Sequence, residues 1–229
     1  MDTNMENLIK GAKTMYKRIV LIVLMVSMMI MNTSFTAYGE GKGRTREICV
    51  NESVIALKYG MQKVWIEHAW WTRSLIVSKI ANLEDQKDVL NRLLWNQEDI
   101  GNLIKPYYGE GAGNKLTELL KEHIVIAGQI IDAAKSNDSA NVEKYNQDWQ
   151  RNANEIVAFL SSANPYWPKK ELTDMFNTHL KLTTDEVVFR LKKNWVGDIR
   201  TADRNENHLI EMGDFLSNGI VKQFPEKFQ

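Results

Sequence analysis

The four histidines of this chain are the residues best suited to chemistry, because all of them fall on the apolar stripes of predicted helices. They are His68, His123, His179 and His208, and the first three are separated by 55 and 56 residues. Imidazole binds divalent transition metals and exchanges protons near neutral pH. A histidine on an apolar helix face points into a bundle, so the four predict an internal site.

A repeat of about 56 residues organises these histidines. A second polar residue and an acid recur at intervals of 56: Asn96, Asn152 and His208, then Asp99, Glu155 and Glu211. Each unit therefore carries a histidine, a second polar residue, and an acid three positions later. A period of this size is typical of a helical hairpin repeated three times.

Helical periodicity dominates the chain after residue 50, and no stretch alternates convincingly as a strand. We predict an all-α fold, a six-helix bundle built from three repeated helical hairpins. The helices are expected at 51–81, 85–105, 113–136, 139–162, 169–193 and 199–222. In each hairpin the histidine and the second polar residue lie equally far from the turn, so antiparallel helices would place them side by side. The six polar side chains are expected to form one internal layer.

Imidazole, carboxylate and amide groups suit a divalent transition metal, and helical bundles build such sites from inward side chains. The predicted metal ligands are His68, His123, His179, His208, Asp99, Glu155 and Glu211. A small polar ligand is predicted to contact Asn96, Asn152, Glu186 and Arg190. The competing interpretation is a purely structural layer, since a buried histidine paired with an amide or an acid satisfies its own hydrogen bonds.

Aromatic and basic residues suggest two further sites. An aromatic rim that binds sugars or peptides would use Trp65, Trp70, Trp71, Tyr107, Tyr108, Tyr166 and Trp167. Core packing is the favoured interpretation for the helical tryptophans, but it explains the two Pro-Tyr loops less well. Arg73, Arg92 and Arg190 offer forked donors to an anion. Pairing of these arginines with acids such as Glu186 is the favoured interpretation.

The N-terminal segment predicts export. Residues 1–39 contain basic residues, an apolar run at 19–31, and the small residues Ala37 and Gly39, as a signal peptide or an N-terminal anchor does. Residues 40–50 are expected to be a flexible lead, and 51–229 the bundle domain. The protein would be secreted, or attached to the outer face of the cytoplasmic membrane through the N-terminal segment alone. Residues 40–229 carry a net charge of −2, which gives no electrostatic case for nucleic acid.

No phosphate-binding loop or nucleophile elbow is found, and the single cysteine, Cys49, lies in the wrong context for a nucleophile, so any enzyme would have to depend on a metal. Three functions therefore remain open. The first is an exported protein whose internal site binds a divalent metal or a small polar ligand. The second is a cell-envelope interaction protein with a structural histidine layer. The third is a metal-dependent hydrolase.

Three short strings resemble a family of small exported helical proteins from Gram-positive bacteria and some archaea. They run from Leu93 to Gly101, from Glu122 to Ile124 and from Gln223 to Pro225. Some members carry enzyme names, glycosyltransferase or acetylglutamate kinase. This sequence lacks the nucleotide-binding α/β pattern that those names require, so the resemblance implies no activity and no site residues.

Overall fold

The computed structural model describes residues 51–229, and within them the chain is helical with no strand. The helices are α1 (Glu52–Ala81), α2 (Gln86–Lys135), α3 (Ser139–Ala163), α4 (Lys169–Leu191) and α5 (Trp195–Gln223), followed by a 3-10 turn, Pro225–Phe228. The predicted all-α class is confirmed. None of these helices combines the length and apolarity that crossing a bilayer requires. The predicted signal peptide and lead lie outside the described residues.

Three of the turns between helices share one geometry. Asn82, Asn137 and Lys193 end their helices with φ values of 56°, 57° and 55°, in the left-handed region. In each turn the next residue donates its backbone N–H to a carbonyl five residues back, as in a Schellman motif. After the second and third of these turns, the side chains of Asp138 and Asn194 accept a backbone N–H of the following helix. These turns lie where the sequence predicts them.

The second and third predicted helices form one element, α2, with a break inside it. The predicted loop after Pro106 keeps helical backbone, and only Gly109, with φ 84° and ψ 168°, departs from it. The chain folds back at this residue, and the Thr117 hydroxyl donates to the Gln97 carbonyl across 3.3 Å. Gly109 therefore divides α2 into two helical halves, within the break that the sequence predicts between residues 105 and 113.

The two halves of α2 approach each other most closely at two glycines. A Cβ atom on Gly101 would lie 2.5 Å from the Gly113 carbonyl oxygen, and one on Gly113 would lie 2.7 Å from the Gly101 carbonyl oxygen. Both distances are far inside van der Waals contact. Only glycine at these positions permits the fold-back, which brings the second half of α2 alongside the first.

We expect Gly101→Ala to lower the free energy of unfolding by about 1–3 kcal/mol, the usual cost of overpacking, despite the better helix propensity of alanine. Gly111 is the matched control, because a Cβ there meets no atom within 4 Å. Gly111→Ala should leave stability unchanged or raise it by up to about 1 kcal/mol. Urea denaturation measures both, and equal effects of the two substitutions would contradict the close approach.

The helices surround an apolar core. Helix α1 packs against α2 and α5, α3 packs against α2 and α4, and α4 packs against α5. The largest cluster of buried apolar side chains includes Met61, Ile100, Ile156, Leu209 and Met212. The side chain of Asn51 also donates to the backbone carbonyl of Phe228, so the two ends of the described chain meet.

The suggested aromatic rim is wrong for Tyr107, Tyr108 and Trp167, which pack into or against the core. The helical tryptophans Trp65 and Trp71 do so too, as the favoured interpretation expects. Tyr107 stacks on Phe228 with ring centroids 5.7 Å apart, and Tyr108 lies 5.5 Å from the buried ring of Trp167. The Tyr108 hydroxyl donates to Gln223 across 2.8 Å. Packing these aromatic rings against the core buries more apolar area than leaving them on the surface would, which is the physical reason for this placement. Trp70 and Tyr166 are the exposed members of the set.

Candidate functional site: an internal histidine layer and the cavity beside it

Three of the four histidines meet inside the bundle. His68 on α1, His123 on α2 and His179 on α4 are all buried. The ring centroid of His179 lies 5.6 Å from that of His68 and 6.2 Å from that of His123. We call these three residues the histidine layer. The periodicity of the apolar stripes is the signal that predicts their inward placement.

Hydrogen bonds fix which ring nitrogen of two of these histidines carries the proton. Nδ1 of His123 lies 2.8 Å from Oδ1 of Asn152, whose amide nitrogen donates to the Leu119 carbonyl across 3.1 Å. The amide oxygen of Asn152 must therefore accept, so the proton sits on Nδ1 and Nε2 keeps a free lone pair. His179 pairs in the same way with Oδ1 of Asn205, at 3.0 Å.

His68 faces a different amide group. Its Nδ1 lies 3.3 Å from the amide nitrogen of Gln97. That nitrogen also donates to the Leu93 carbonyl across 2.7 Å and to Oδ1 of Asn96 across 3.1 Å, and these two acceptors use both of its protons. The histidine layer thus includes two lone-pair acceptors, on Nε2 of His123 and on Nε2 of His179.

The second polar residue of each unit makes one recurring contact. Asn96 donates to the Val64 carbonyl across 2.9 Å, Asn152 to Leu119, and Nε2 of His208 to Met175 across 2.8 Å. Each of these carbonyls belongs to the residue four positions before the histidine of that unit. His208 therefore ties α5 to α4 in the way that the two asparagines tie their helices. The ring nitrogen of His208 is used in this contact. Asn205, one helical turn before His208, therefore supplies the oxygen that accepts the hydrogen bond from His179.

We expect His208→Asn to change the free energy of unfolding by less than about 0.5 kcal/mol, since asparagine makes this contact in the other two units. His208→Leu should cost about 1–2 kcal/mol, because it removes the hydrogen bond and offers no donor to the Met175 carbonyl. Thermal and urea unfolding of both variants measure the difference. A larger loss in the asparagine variant than in the leucine variant would show that His208 does more than tie two helices together.

The predicted acidic ligands lie on the surface. Asp99, Glu155 and Glu211 are exposed, and Glu155 pairs with Arg151 across 2.8 Å. The inward face of these helices uses positions −3, 0, +1 and +4 relative to the second polar residue, as Trp149, Asn152, Ala153 and Ile156 illustrate. Position +3 falls outside that face, so the structure does not bring these acids to the histidines. The acid beside the layer is the buried Glu186, whose Oε1 accepts from Asn205 across 2.9 Å.

An ion-pair network extends from the layer to the turn between α4 and α5. Arg73 donates two hydrogen bonds to the buried carboxylate of Asp198, at 2.8 and 3.1 Å, and one to Glu186 at 3.4 Å. Arg190 donates to Asp198 across 2.9 Å and lies over the ring of Trp195. Arg190, predicted to bind a ligand, is therefore engaged by the protein itself. The sequence analysis missed Asp198, because it predicted that this helix begins at residue 199, whereas α5 begins at Trp195.

Burial sets the protonation of the site. Burial lowers the pKa of His123 to about 3 and that of His179 to about 4. Burial also lowers the pKa of His68 well below its usual range. The neighbouring imidazoles of the layer lower the pKa of His68 and of His123 further. Burial raises the pKa of Glu186 to about 7. Burial would also raise the pKa of Asp198, but hydrogen bonds from Arg73 and Arg190 outweigh it and lower that pKa. The three imidazoles are thus neutral at pH 7.

A cavity of about 100 Å³ adjoins the layer on the side of the Asn82 and Asn137 turns. Thr72, Ala127 and Thr183 line it, and each lies one helical turn beyond a histidine of the layer. The rest of the wall is mainly aliphatic, with Leu75, Ile76, Leu93, Ile131 and Val187 among its residues. The space is therefore an apolar pocket with a few polar side chains on the part of its wall that lies next to the histidine layer.

Six buried polar side-chain atoms have no hydrogen-bond partner within residues 51–229, and three of them lie on or next to the cavity wall. These three are the Thr72 hydroxyl, Nε1 of Trp149 and Nε2 of His123, and the other three belong to Trp65, Arg92 and Gln97. Thr72 and Trp149 line the cavity, and the Trp149 ring lies 5.0 Å from the ring of His123. Buried polar groups are nearly always satisfied in folded proteins, so a cluster of unsatisfied ones calls for a partner.

The predicted metal site is not assembled in this part of the chain. Among residues 51–229, no group of three or more His, Cys, Asp or Glu side chains could hold a metal ion. The lone pairs on Nε2 of His123 and His179 have the chemistry of metal ligands, and amide partners on Nδ1 orient ligating histidines in known sites. Metal binding therefore stays a prediction.

Comparison of the chain with protein-family models, curated proteins and solved structures gave no match. The resemblance to a family of small exported helical proteins thus stays a prediction. The chemistry of the site rests on its own geometry: neutral imidazoles, unsatisfied polar atoms and an aliphatic cavity.

Proposed function

We propose that this chain is a binding protein that holds a small, largely apolar molecule inside the helical bundle. The observation that carries the proposal is an aliphatic cavity lined by Thr72 and Trp149, whose hydroxyl and Nε1 have no hydrogen-bond partner within residues 51–229. Ligand pockets have this composition, apolar walls with a few polar groups that fix orientation. An unsatisfied buried polar group costs about 1–3 kcal/mol, and a ligand that hydrogen bonds to it recovers part of that cost.

We further propose that the bundle arose from three copies of one helical hairpin. The left-handed residues of the three turns are 55 and 56 residues apart, the same interval that separates the histidines. The hydrogen bonds of Asn96, Asn152 and His208 to the carbonyl four residues before each histidine support the same register. Hairpins packed around a common axis leave space where their inward side chains are short, which accounts for a cavity beside the layer.

Thermal unfolding with a panel of small apolar compounds tests the ligand-binding proposal. A molecule that binds the native state raises the melting temperature in a concentration-dependent way. Ala127→Leu fills the cavity with three extra carbon atoms and should abolish this rise while the protein stays folded. Ala158→Leu, on the exposed face of α3, is the matched control and should keep it. A panel that stabilises neither the native protein nor the control would overturn the proposal.

A divalent metal is the second candidate, and the free Nε2 lone pairs of His123 and His179 favour it. Elemental analysis of the purified chain, prepared without a metal-binding tag, decides between metal and organic ligand. Stoichiometric metal that disappears in a His123→Asn, His179→Asn double variant would establish a metal site and reopen hydrolase activity. A folded protein without bound metal would leave the organic ligand as the function of the cavity.

A further inference from the structure

We propose that the ligand is an uncharged molecule about the size of a single ring, whose polar group is a hydroxyl that both donates and accepts a hydrogen bond at the histidine layer. This inference rests on the proposed function and names the chemical class of the molecule. It follows from three properties of the cavity: the kinds of unsatisfied atoms, the charges around them and the available volume.

The Thr72 hydroxyl and Nε1 of Trp149 belong to residues that line the cavity, and Nε2 of His123 belongs to the ring 5.0 Å from that of Trp149. Nε2 of His123 can only accept, because Asn152 holds the proton of that ring on Nδ1. Nε1 of Trp149 can only donate. A complementary group must therefore donate to one and accept from the other, and a hydroxyl does both. A ketone and a carboxylate only accept, and an ammonium group only donates.

The surrounding charges favour a neutral molecule. The guanidinium groups of Arg73 and Arg190, which could neutralise an anion, both donate to Asp198. Glu186 is engaged by Asn205 and by Arg73, so its two oxygens are already used by the protein. A charged ligand would lose its hydration without gaining a free counter-ion, which is costly in a buried site.

The volume of the cavity limits the apolar part of the ligand. The space is about 100 Å³, and residues of α1, α2, α3 and α4 line it. An engineered apolar cavity of roughly 150 Å³ binds benzene. The volume therefore limits the apolar part of the ligand to a single small ring or a short aliphatic chain, with its body against Leu75, Ile131 and Val187 and its hydroxyl toward Thr72.

Three probes of nearly equal size test the inference by isothermal titration calorimetry or by shifts of the indole N–H resonances. They are phenol, toluene, which lacks the hydroxyl, and benzoate, which is charged. We expect phenol to bind at least about tenfold more tightly than toluene, the effect of one buried hydrogen bond, and benzoate to bind most weakly.

Thr72→Val keeps the shape of the side chain and removes its hydroxyl, so it separates a ligand-binding role from a structural one. It should leave the melting temperature unchanged or higher, because it removes an unsatisfied buried polar group, and leave toluene binding unchanged. Phenol binding should weaken several-fold. Trp149→Phe, which removes the indole donor, should also reduce the preference for phenol over toluene.

The outcomes separate the two proposals. Toluene binding as tightly as phenol, or benzoate binding most tightly, would overturn the hydroxyl inference while the cavity remains a ligand site. A phenol preference that survives both Thr72→Val and Trp149→Phe would also overturn the inference. If none of the three probes binds the native protein, and the wider panel of apolar compounds also fails to stabilise it, both proposals fail.

Discussion

Mild acid should destabilise this protein steeply, by about 3 kcal/mol for each pH unit between about pH 6 and pH 5. A typical domain of this size is stable by only about 5–15 kcal/mol. The loss is therefore large enough to start unfolding the bundle well above the pH at which ordinary carboxylates are protonated. The effect comes from the histidine layer and from Glu186, whose contributions have opposite signs.

Protonation of the three histidines lowers the stability of the folded protein as the pH falls. In the unfolded chain an imidazole binds a proton at pH values near 6.5, whereas burial holds the pKa of His123 at about 3 and that of His179 at about 4. The pKa of His68 is lowered in the same direction. Below about pH 6.5 the unfolded state therefore binds more protons than the folded state. Each histidine then contributes a loss of about 1.4 kcal/mol per pH unit.

Glu186 opposes this loss. Its pKa is about 7 in the folded protein because burial disfavours the charged carboxylate, and about 4.3 in an unfolded chain. Between those values the folded state binds the extra proton, so stability rises by about 1.4 kcal/mol per pH unit as the pH falls. Three histidines against one carboxyl leave a net loss of about 3 kcal/mol per unit.

Urea denaturation at pH 7.5, 6.5, 5.5 and 5.0 measures the slope. Glu186→Gln removes the opposing carboxyl and keeps the shape of the side chain, so its slope should be steeper, about 4 kcal/mol per unit. A free energy of unfolding that stays flat from pH 6.5 to 5.0 would show that the imidazoles are not buried as neutral groups. A Glu186→Gln slope shallower than that of the native protein would contradict the sign assigned to Glu186.

Loss of the Asp198 carboxylate should be the most damaging single truncation at pH 7, lowering the free energy of unfolding by about 3–5 kcal/mol. Asp198 is fully buried and accepts hydrogen bonds from both Arg73 and Arg190. Asp198→Ala leaves the partly buried guanidinium groups of Arg73 and Arg190, whose side chains are 26% and 20% exposed, without their shared counter-ion. Removing one partner of a buried ion pair has a cost of this size, much larger than the worth of a surface pair.

Glu155→Ala is the matched control for Asp198→Ala. Glu155 also pairs with an arginine, Arg151, at 2.8 Å, but nearly half of each side chain is exposed. We expect this substitution to cost at most about 1 kcal/mol. Urea denaturation of both variants at pH 7 gives the comparison. Equal losses for Asp198→Ala and Glu155→Ala would mean that the buried network contributes no more than a surface ion pair.

The sequence was most informative where a residue violates a regular pattern. His68, His123 and His179 interrupt apolar stripes, and a stripe can be assigned from its spacing alone. Asp198 and Asn205 carry no such mark, because an acid after a turn and an asparagine among polar residues look like ordinary surface positions. Their burial depends on how α5 packs against α1 and α4, which is tertiary information.

The errors of prediction also have particular causes. Pro106, Gly109, Gly111 and Gly113 together predict a loop, yet only Gly109 leaves helical geometry. Proline fixes φ near its helical value, so Pro106 keeps a helical φ although it cannot donate a backbone hydrogen bond to the preceding turn. The acids Asp99, Glu155 and Glu211 follow the repeat perfectly but face solvent, since conserved spacing between repeats does not specify which way a side chain points.

The contact between Asn51 and Phe228 brings the first and last parts of the described chain next to each other. Helix α1 packs against α5 as well as against α2, so the helices that begin and end the bundle are neighbours. A short linker from Gln229 back to Asn51 would allow the chain to be opened at another turn, for example at Asn137, while every helix keeps its partners. The bundle is in this sense a scaffold for circular permutation, in which new ends at Asn137 would lie between Ala134 and Val142, two residues that line the cavity, without cutting a helix.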